Sequence, residues 1–509
     1  MTVNSAPRSL SATAEVVSES DCPQDRATVD GPEREQVHVV VSDSYAVSPA
    51  DHCKLIAVMS AHGAEVTLPP PELLRGYIDI VNVGPGGATL VGASISGHST
   101  VELRAGSGAR ITSVRIGYEF APGGLGAMLA GNPRGDPTET LVGRSTAWRQ
   151  PVSLPISVPG SNIDARRYGV KCDGLSDDAD AIDRALAAGS KRVQLPRGVC
   201  LVSRSVIVQS NSELAGKGIG STILRPSSTP DYPVVRIHAG ASNVVLTSFS
   251  VDGGARSHGK RTADGVLAGA QTSNVAIYQI EVYGAADNGI ESNGSRQDIW
   301  NNFVHDNYSN GIYVIGVNAN SRASQDIIRN NIVIDNSVDN LPPTNPSWDG
   351  IDIDPKSASC TVEANVVVGN DIILYETGKE VSDSYGHSVT DNLIIDSSEN
   401  GIDVLGAVRD FTIARNRVYR PVGDGIIMNG PQSQGTVTNN LIVEPTRRGI
   451  FLGSHVPSLP GAPNGFSIEN NTIEGLPLTG GKAAGIVVQK GSYNVTLRDN
   501  IASVWRAPF

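Results

Sequence analysis

Between Ser337 and Gly386 the chain gathers carboxylates at spacings that suit proton transfer. Asp349, Asp352 and Asp354 fall within six residues, and Asp371 follows 22 residues after Asp349. If Gly350 to Pro355 is a strand with Ile351 and Ile353 facing inward, Asp352 and Asp354 project from one face about 7 Å apart. Crowding pushes the pKa values of such carboxyls apart, so that one can act as general acid and another as general base on a glycosidic bond. Carboxyls about 5 Å apart suit a retaining glycosidase, and about 6.5–9.5 Å an inverting one. Trp348, Tyr375 and Tyr313 offer flat faces for sugar rings, while Glu376 and Asp403 add acceptors. Lys356, Lys379 and Arg322 supply cations for a rival chemistry, that of a polysaccharide lyase or uronate C5-epimerase. That chemistry needs a base for the C5 proton and a cation for the uronate carboxylate. Asp352 and Asp354 would then hold Ca²⁺, whereas the hydrolase is expected to use no cofactor or metal.

These side chains need an element that repeats. The pattern of a polar residue, an apolar pair, Asn and then Gly-Ile returns in IYQIEVYGAADNGIES, DIWNNFVHDNYSNGIYV, HSVTDNLIIDSSENGIDV, FTIARNRVYRPVGDGIIM and GTVTNNLIVEPTRRGIFL. Gly-Ile pairs at 289/290, 311/312, 350/351, 401/402, 425/426, 449/450 and 485/486 mark the register of a coil of about 22–24 residues. One coil cannot bury its own apolar face, and stacking buries it, so the pattern predicts a parallel β-solenoid. Asn302, Asn331, Asn365, Asn392, Asn416, Asn440 and Asn471 recur at one turn, where Asn tolerates left-handed backbone and can bond the Asn of the next coil. Counting by register puts Glu291, Tyr313, Asp352, Ile373 and Asp403 in one outer column. Asp352 and Asp403 are then two rungs, about 9.6 Å, apart. The insertions 337–348 and 377–386 interrupt these coils and are expected to wall a groove.

The segment Asn162 to Leu186 resembles the opening motif of the pectate-lyase-like superfamily through Tyr168, Gly169, Asp173, Gly174, Asp177, Asp178, Ala181, Ile182, Ala185 and Leu186. VQLPRGVCLV and SELAGKGIGSTILRP resemble the segments that follow it there. The resemblance implies a right-handed parallel β-helix over residues 161–509, plugged by a short helix. Ser176 or Asp177 caps that helix, and Ile182, Ala185 and Leu186 form its apolar stripe. Asp177 and Asp178 are read as structural. Asp349-Gly350 followed by Gly369-Asn370-Asp371 resembles the paired N-T-D-G and G-D-D motifs of polygalacturonase-type glycoside hydrolases. Asn370 stands where that family has Asp, Ser347-Trp348 stands for Asn-Thr, and His387 falls in a different phase of the repeat.

The rest of the chain bounds its class. Residues 1–36 lack periodicity and read as a disordered tail. Short alternating runs from 37 to 118 predict a small antiparallel, sandwich-like β domain, and the proline-spaced stretch 119–160 a linker. Tyr45 to Asp51, Val66 to Pro71 and IDIVNVGPGG resemble β modules of phage tail fibres and tailspikes, which implies a virion-associated or extracellular protein and a homotrimer. With 55 Gly and 30 Pro in 509 residues, the composition is all-β. A net charge of −12 excludes a general nucleic-acid binder. An anionic glycan would need a local cluster such as Arg322, Arg329, Lys356 and Lys379. No run of 18 apolar residues and no secretory h-region occurs, so neither membrane insertion nor a signal peptide is expected. The five cysteines lack CxxC spacing, and buried free thiols are expected in preference to a Cys172–Cys200 bridge. Three functions follow: a polysaccharide-degrading glycosidase, a lyase or epimerase, or a spike that binds glycan without cutting it.

Overall fold

The computed structural model describes residues 37–122 apart from 41–43, 49–50, 52–54, 59–62, 75–76, 83–86, 96–97, 104–107 and 115–116. It also describes 156–504 apart from 157, 159, 161, 189–191, 255–262, 319–320, 338–348, 377–383, 454–462 and 477–483. The expected tail, most of the expected linker, Trp348, Lys379 and most of both insertions lie outside the described residues. The chain divides into two compact units, Met1–Gln150 and Pro151–Phe509.

The first unit carries one 9-stranded sheet over a core that includes Ile56, Val66, Ile78, Ile80, Leu90 and Ile111. The expectation of antiparallel pairing is corrected. Five strand pairs are parallel and three antiparallel, because consecutive runs pair with the next run but one, as Leu55–Val58 does with Tyr77–Asn82. Asp51 fastens one turn by accepting from the Tyr45 hydroxyl at 2.8 Å and the Ser48 amide at 2.8 Å.

The second unit is a solenoid of three parallel sheets with 15, 13 and 11 strands. Most strands span three to six residues, and each pairs with its equivalent one coil on. Like therefore stacks on like. Ile290, Ile312, Ile351, Ile372, Ile402, Ile426 and Ile450 form one inward column in the 11-stranded sheet, every member fully buried. Each is worth about 1.5–3 kcal/mol of burial. Between the 15- and 13-stranded sheets an asparagine ladder runs from Asn302 through Asn331, Asn365, Asn392, Asn416, Asn440 and Asn471 to Asn500. Each Oδ1 accepts from the backbone and side-chain amides of the Asn one coil earlier, as in Asn365 to Asn392 at 2.9 and 3.0 Å. The left-handed backbone sits one residue earlier than expected, at Asn301, Asn330, Ala364, Asp391, Arg415, Asn439, Asn470 and Asp499. The ladder is what selects Asn, and the turn accepts almost any side chain.

The helix Ala179–Ala187 buries Ala179, Ala181, Ile182, Ala185 and Leu186 against the first coil. Asp177 Oδ1 accepts from the Ala179 amide at 3.1 Å, and Asp178 binds the amides of Lys171 and Cys172 at 2.7 and 2.9 Å. Cys172 and Cys200 form a disulfide, contrary to expectation. Asp173 pairs with Val199, so the cysteines beside them are brought together on successive rungs. Only Cys360 of the described cysteines is a free thiol.

Replacing Asn392 with Ala removes the acceptor of the Asn365 backbone amide and the side-chain donor to the Val362 carbonyl in a buried site. A loss of at least about 2 kcal/mol is expected, since each orphaned buried group costs about 1–3 kcal/mol. Thermal unfolding should show a clearly lowered Tm. A wild-type Tm would mean that the ladder is not structural.

Candidate active site

The site is built on a triplet. Where six of the coils enter the 11-stranded sheet, an Asn or Asp precedes Gly and an apolar residue: Asp264-Gly265-Val266, Asn288-Gly289-Ile290, Asn310-Gly311-Ile312, Asp349-Gly350-Ile351, Asn400-Gly401-Ile402 and Asp424-Gly425-Ile426. The glycine is steric. A Cβ on Gly350 would lie 2.7 Å from Val367 Cγ1, and one on Gly401 2.3 Å from Val418 Cγ1. Among the coils that follow Gly265, one lacks the glycine. Ile351 pairs with Ile372 and Ile372 with Ile402, so Asp371 occupies the register of Gly350 and Gly401. The backbone gives way there, and the amides of both Gly350 and Ile351 donate to the Asp371 carbonyl, at 3.0 and 3.2 Å, instead of to successive carbonyls. Such a departure re-aims a side chain.

The re-aimed carboxyl meets others. Asp371 and Asp349 act on each other, as do Asp352 and Asp354, which puts the members of each pair side by side. Carboxylates are acceptors only, so a direct hydrogen bond within a pair needs a proton from one member. Asn310 joins the pairs: its Oδ1 accepts from the Asp349 amide at 2.6 Å, and its Nδ2 donates to Asp352 at 3.3 Å. Tyr313 donates a short hydrogen bond to Asp354. Asn400 donates to Asp403 at 3.2 Å. Asp352 Oδ1, Asp371 Oδ2 and Asp403 Oδ1 are buried without a hydrogen-bond donor.

Electrostatics follow from burial. Desolvation is the largest cause pushing Asp349, Asp352, Asp371 and Asp403 well above the usual carboxylate range, and neighbouring carboxylates push them further. Asp354, less deeply buried, is pushed up to about 6 by desolvation, against the pull of the Tyr313 hydrogen bond. Tyr375 is raised by burial and by Asp354 and Asp352, which places it against the same group. Glu376 is buried on the same strand, and its charge raises Asp354.

Asp349, Asp352, Asp354, Asp371, Asp403, Tyr313, Tyr375 and Glu376 are thus brought together on neighbouring rungs, and the basic residues are not. Arg329 is buried in an ion pair with Asp298 at 2.6 Å. Arg322 lines a separate cavity, because it stands where the chain turns toward the 15-stranded sheet. Lys356 reaches the Val317 carbonyl at 3.5 Å. His387 is interior, beside Ser384 at 3.0 Å, with its pKa driven down to about 3 by burial. Among the described residues the cluster gathers no three acidic oxygens within 4.8 Å of one another, and Ca²⁺ takes six to eight. The cysteine and aspartate trio that does so contains the Cys172–Cys200 disulfide. Sequence reasoning missed Asn310, Asn400 and Glu399, whose charge bears on Asp349, Asp371 and Asp403. The triplet was the signal that could have found the two amides.

Carboxyls with raised folded pKa bind more protons in the native than in the unfolded chain. Their stabilisation is complete below the unfolded value of about 4 and is lost as pH rises through about 6 for Asp354 and higher for the others. Tm should therefore fall between pH 4 and pH 8, and Asp371→Asn should flatten the fall and raise Tm at neutral pH. A slope unchanged in that variant would refute the crowding.

The chain matches the family described as the right handed beta helix region over residues 237–418 and 349–504, more than half its length. It is 27% identical over 221 residues to the pre-neck appendage protein of Bacillus phage B103, covering 40% of this chain and 26% of that protein. It spans only 14–26% of the length of the curated relatives it matches. Among solved structures, the Agl-KA catalytic domain is similar at TM-score 0.53 and 16% identity, with 68% of each chain covered. The N-terminal fragment of gene product 12 of bacteriophage phi29 is similar at TM-score 0.51 and 17% identity, with 66% of each covered. At those identities the likeness is one of fold. No helix among the described residues is long and apolar enough to cross a membrane. On the family match and the three stacked parallel sheets, the chain belongs to the right-handed β-helix family.

Proposed function

We propose that the chain is a polysaccharide-degrading glycoside hydrolase in which two carboxyl pairs divide the acid and base roles. The observation that carries this is Asp371 in a glycine register, against Asp349 and one rung from Asp352. The Asp349–Asp371 pair, the more deeply buried and raised well above the usual carboxylate range, serves as the acid that delivers a proton to the glycosidic oxygen. The Asp352–Asp354 pair, opened to water through Asp354, takes the proton of the attacking water. Asp352 and Asp371 differ by one rung and two residues, about 8 Å between Cα positions, which suits an inverting displacement. Tyr313 holds Asp354 in place, and Tyr375 offers a ring to the sugar. The phage appendage relatives support a virion-borne protein, and the tail-module resemblance supports a homotrimer.

A lyase or epimerase is less well supported, because the largest influences on these carboxyls are burial, other carboxylates, amides and a tyrosine, with no cation among them.

Polysaccharide digestion should release reducing ends without near-ultraviolet absorbance. Asp371→Asn should lower the rate about 10²–10⁴-fold yet retain activity on an aryl glycoside whose leaving group needs no proton. Asp354→Asn should abolish the rise in activity near pH 6. An ultraviolet-absorbing product would establish elimination instead. Cleavage unaffected by Asp349, Asp352 and Asp371 substitutions would place catalysis elsewhere.

A further inference from the structure

A second site lies where the coils leave the 11-stranded sheet for the 15-stranded one. A cavity of about 360 Å³ is lined by Gln271, Thr272, Ser273, Ser295, Arg296, Ser321, Arg322 and Ser324. Its lining holds two guanidinium groups, six hydroxyl or amide side chains and no carboxylate. On a chain of net charge −12 that is a local reversal of sign.

Three observations mark it as built for a ligand. First, the repeat breaks at Arg296. Asn211, Asn243 and Asn274 occupy left-handed positions and hydrogen-bond in succession, at 3.0 and 3.4 Å. Ser273 pairs with Ser295, so Arg296 is the next member of that column, with φ +55°. Asn carries this ladder through its short amide, which Arg lacks. The exchange ends the ladder and sets a guanidinium beside the cavity, with no hydrogen-bond or ion-pair partner among the described residues. Second, Ser321 is 4% exposed and its Oγ is buried without a partner, although the residue lines the cavity. A buried hydroxyl without a partner costs about 1–3 kcal/mol, which a bound acceptor would offset. Third, the coil is lengthened here. Asn318 and Ser321 close a small turn, and Ala323–Ser324 adds a short strand ahead of Ile327–Arg329. The neighbouring hydroxyls are already ordered: Ser295 donates to the Arg322 carbonyl at 2.9 Å, and Ser324 donates to Ser295 at 3.1 Å.

We infer that this cavity binds an oxyanion carried by a glycan, a uronate carboxylate or a sulfate ester, with Arg296 and Arg322 on the charge and Ser321 donating a hydrogen bond. Guanidinium groups suit the paired oxygens of such anions, and hydroxyls complete the cradle. Ser295 lies four residues beyond Glu291, which shares the outer column of Asp352 two rungs away. The cavity is therefore at most roughly 16 Å from the carboxyl cluster, a span that one oligosaccharide bridges. That the same glycan is the substrate rests on the hydrolase reading. The binding site itself does not.

The test uses the full chain carrying Asp371→Asn, with calorimetric titration of oligogalacturonate, a sulfated dextran oligosaccharide, a neutral malto-oligosaccharide and inorganic sulfate. At least one acidic oligosaccharide should bind, more weakly as salt rises, and the neutral one should not depend on Arg296. Arg296→Asn restores the residue of the preceding coils and preserves the turn, and it should weaken acidic-glycan binding about 10- to 100-fold. Arg322→Gln and Ser321→Ala should weaken it as well. Binding of both acidic oligosaccharides that Arg296→Asn leaves unchanged, or binding of free sulfate alone, would overturn the proposal. Arg296-dependent binding without cleavage by the wild-type chain would instead remove the hydrolase reading and leave this site standing.

Discussion

The rung spacing of about 4.8 Å governs everything else in the second unit. Interstrand hydrogen bonds fix it, and the coil length then decides which side chains meet. Apolar residues in register give the interior columns, and asparagines in register give the ladder. Carboxyls on neighbouring rungs cannot move apart. Two unit charges one rung apart repel by about 3 kcal/mol at an effective dielectric of 20, more than a typical net hydrogen bond contributes. Asp371 sits on the rung next to Asp349 and one residue out of register with it, Asp352 and Asp354 share a strand two residues apart, and burial with neighbouring charge raises all four.

The scaffold treats its other acids differently. Asp424, in the same triplet position as Asp349, is ion-paired to Arg448 at 2.5 Å, and Arg448 lies over Phe451. Asp298 has Arg329, Asp391 has Arg415 and Asp396 has Arg420. Asp326 is buried without a cation, but it stands alone and binds the Gln297 amide and the Ser292 hydroxyl. In the cluster several buried acids are adjacent and no cation acts on them, and Asp264, raised by burial and by Glu291 and Asp287, is a smaller case of the same kind. That costs stability which a structural acid would not be selected to cost, and the ladder and the isoleucine columns supply the rigidity that tolerates it.

Much of this was legible in the sequence. The coil period, the ladder asparagines, the helix with its apolar stripe and the outer column of Glu291, Tyr313, Asp352, Ile373 and Asp403 all follow from periodicity, because a solenoid turns sequence spacing directly into spatial adjacency. What escaped depends on contacts that periodicity does not encode. The Cys172–Cys200 bridge spans the first, irregular coil. The parallel pairs of the first unit need crossovers that short alternating runs do not announce. Arg322 was grouped with Lys356 by proximity in sequence, whereas the lengthened turn carries it to the neighbouring sheet's edge. Asp371 was noticed for its distance from Asp349. Its stronger mark is that it replaces a glycine that eight other coils keep, at 265, 289, 311, 350, 401, 425, 449 and 485.

A stacked scaffold also quantises the distance between acid and base. Neighbouring positions in one column stand about 4.8 Å apart, positions one rung and two residues apart about 8 Å, and positions two rungs apart about 9.6 Å. Carboxyls held at the shortest step would match the retaining spacing and those at about 8 Å the inverting range, with two rungs at its upper edge. In this chain the carboxyls nearest each other raise one another's pKa, which disfavours a free carboxylate nucleophile beside a separate acid. The partners that remain, Asp352 with Asp371 and Asp352 with Asp403, stand at the longer steps. On the proposed hydrolase reading, register thus favours inversion, and the glycine-to-aspartate exchange at 371 is what creates the 8 Å step.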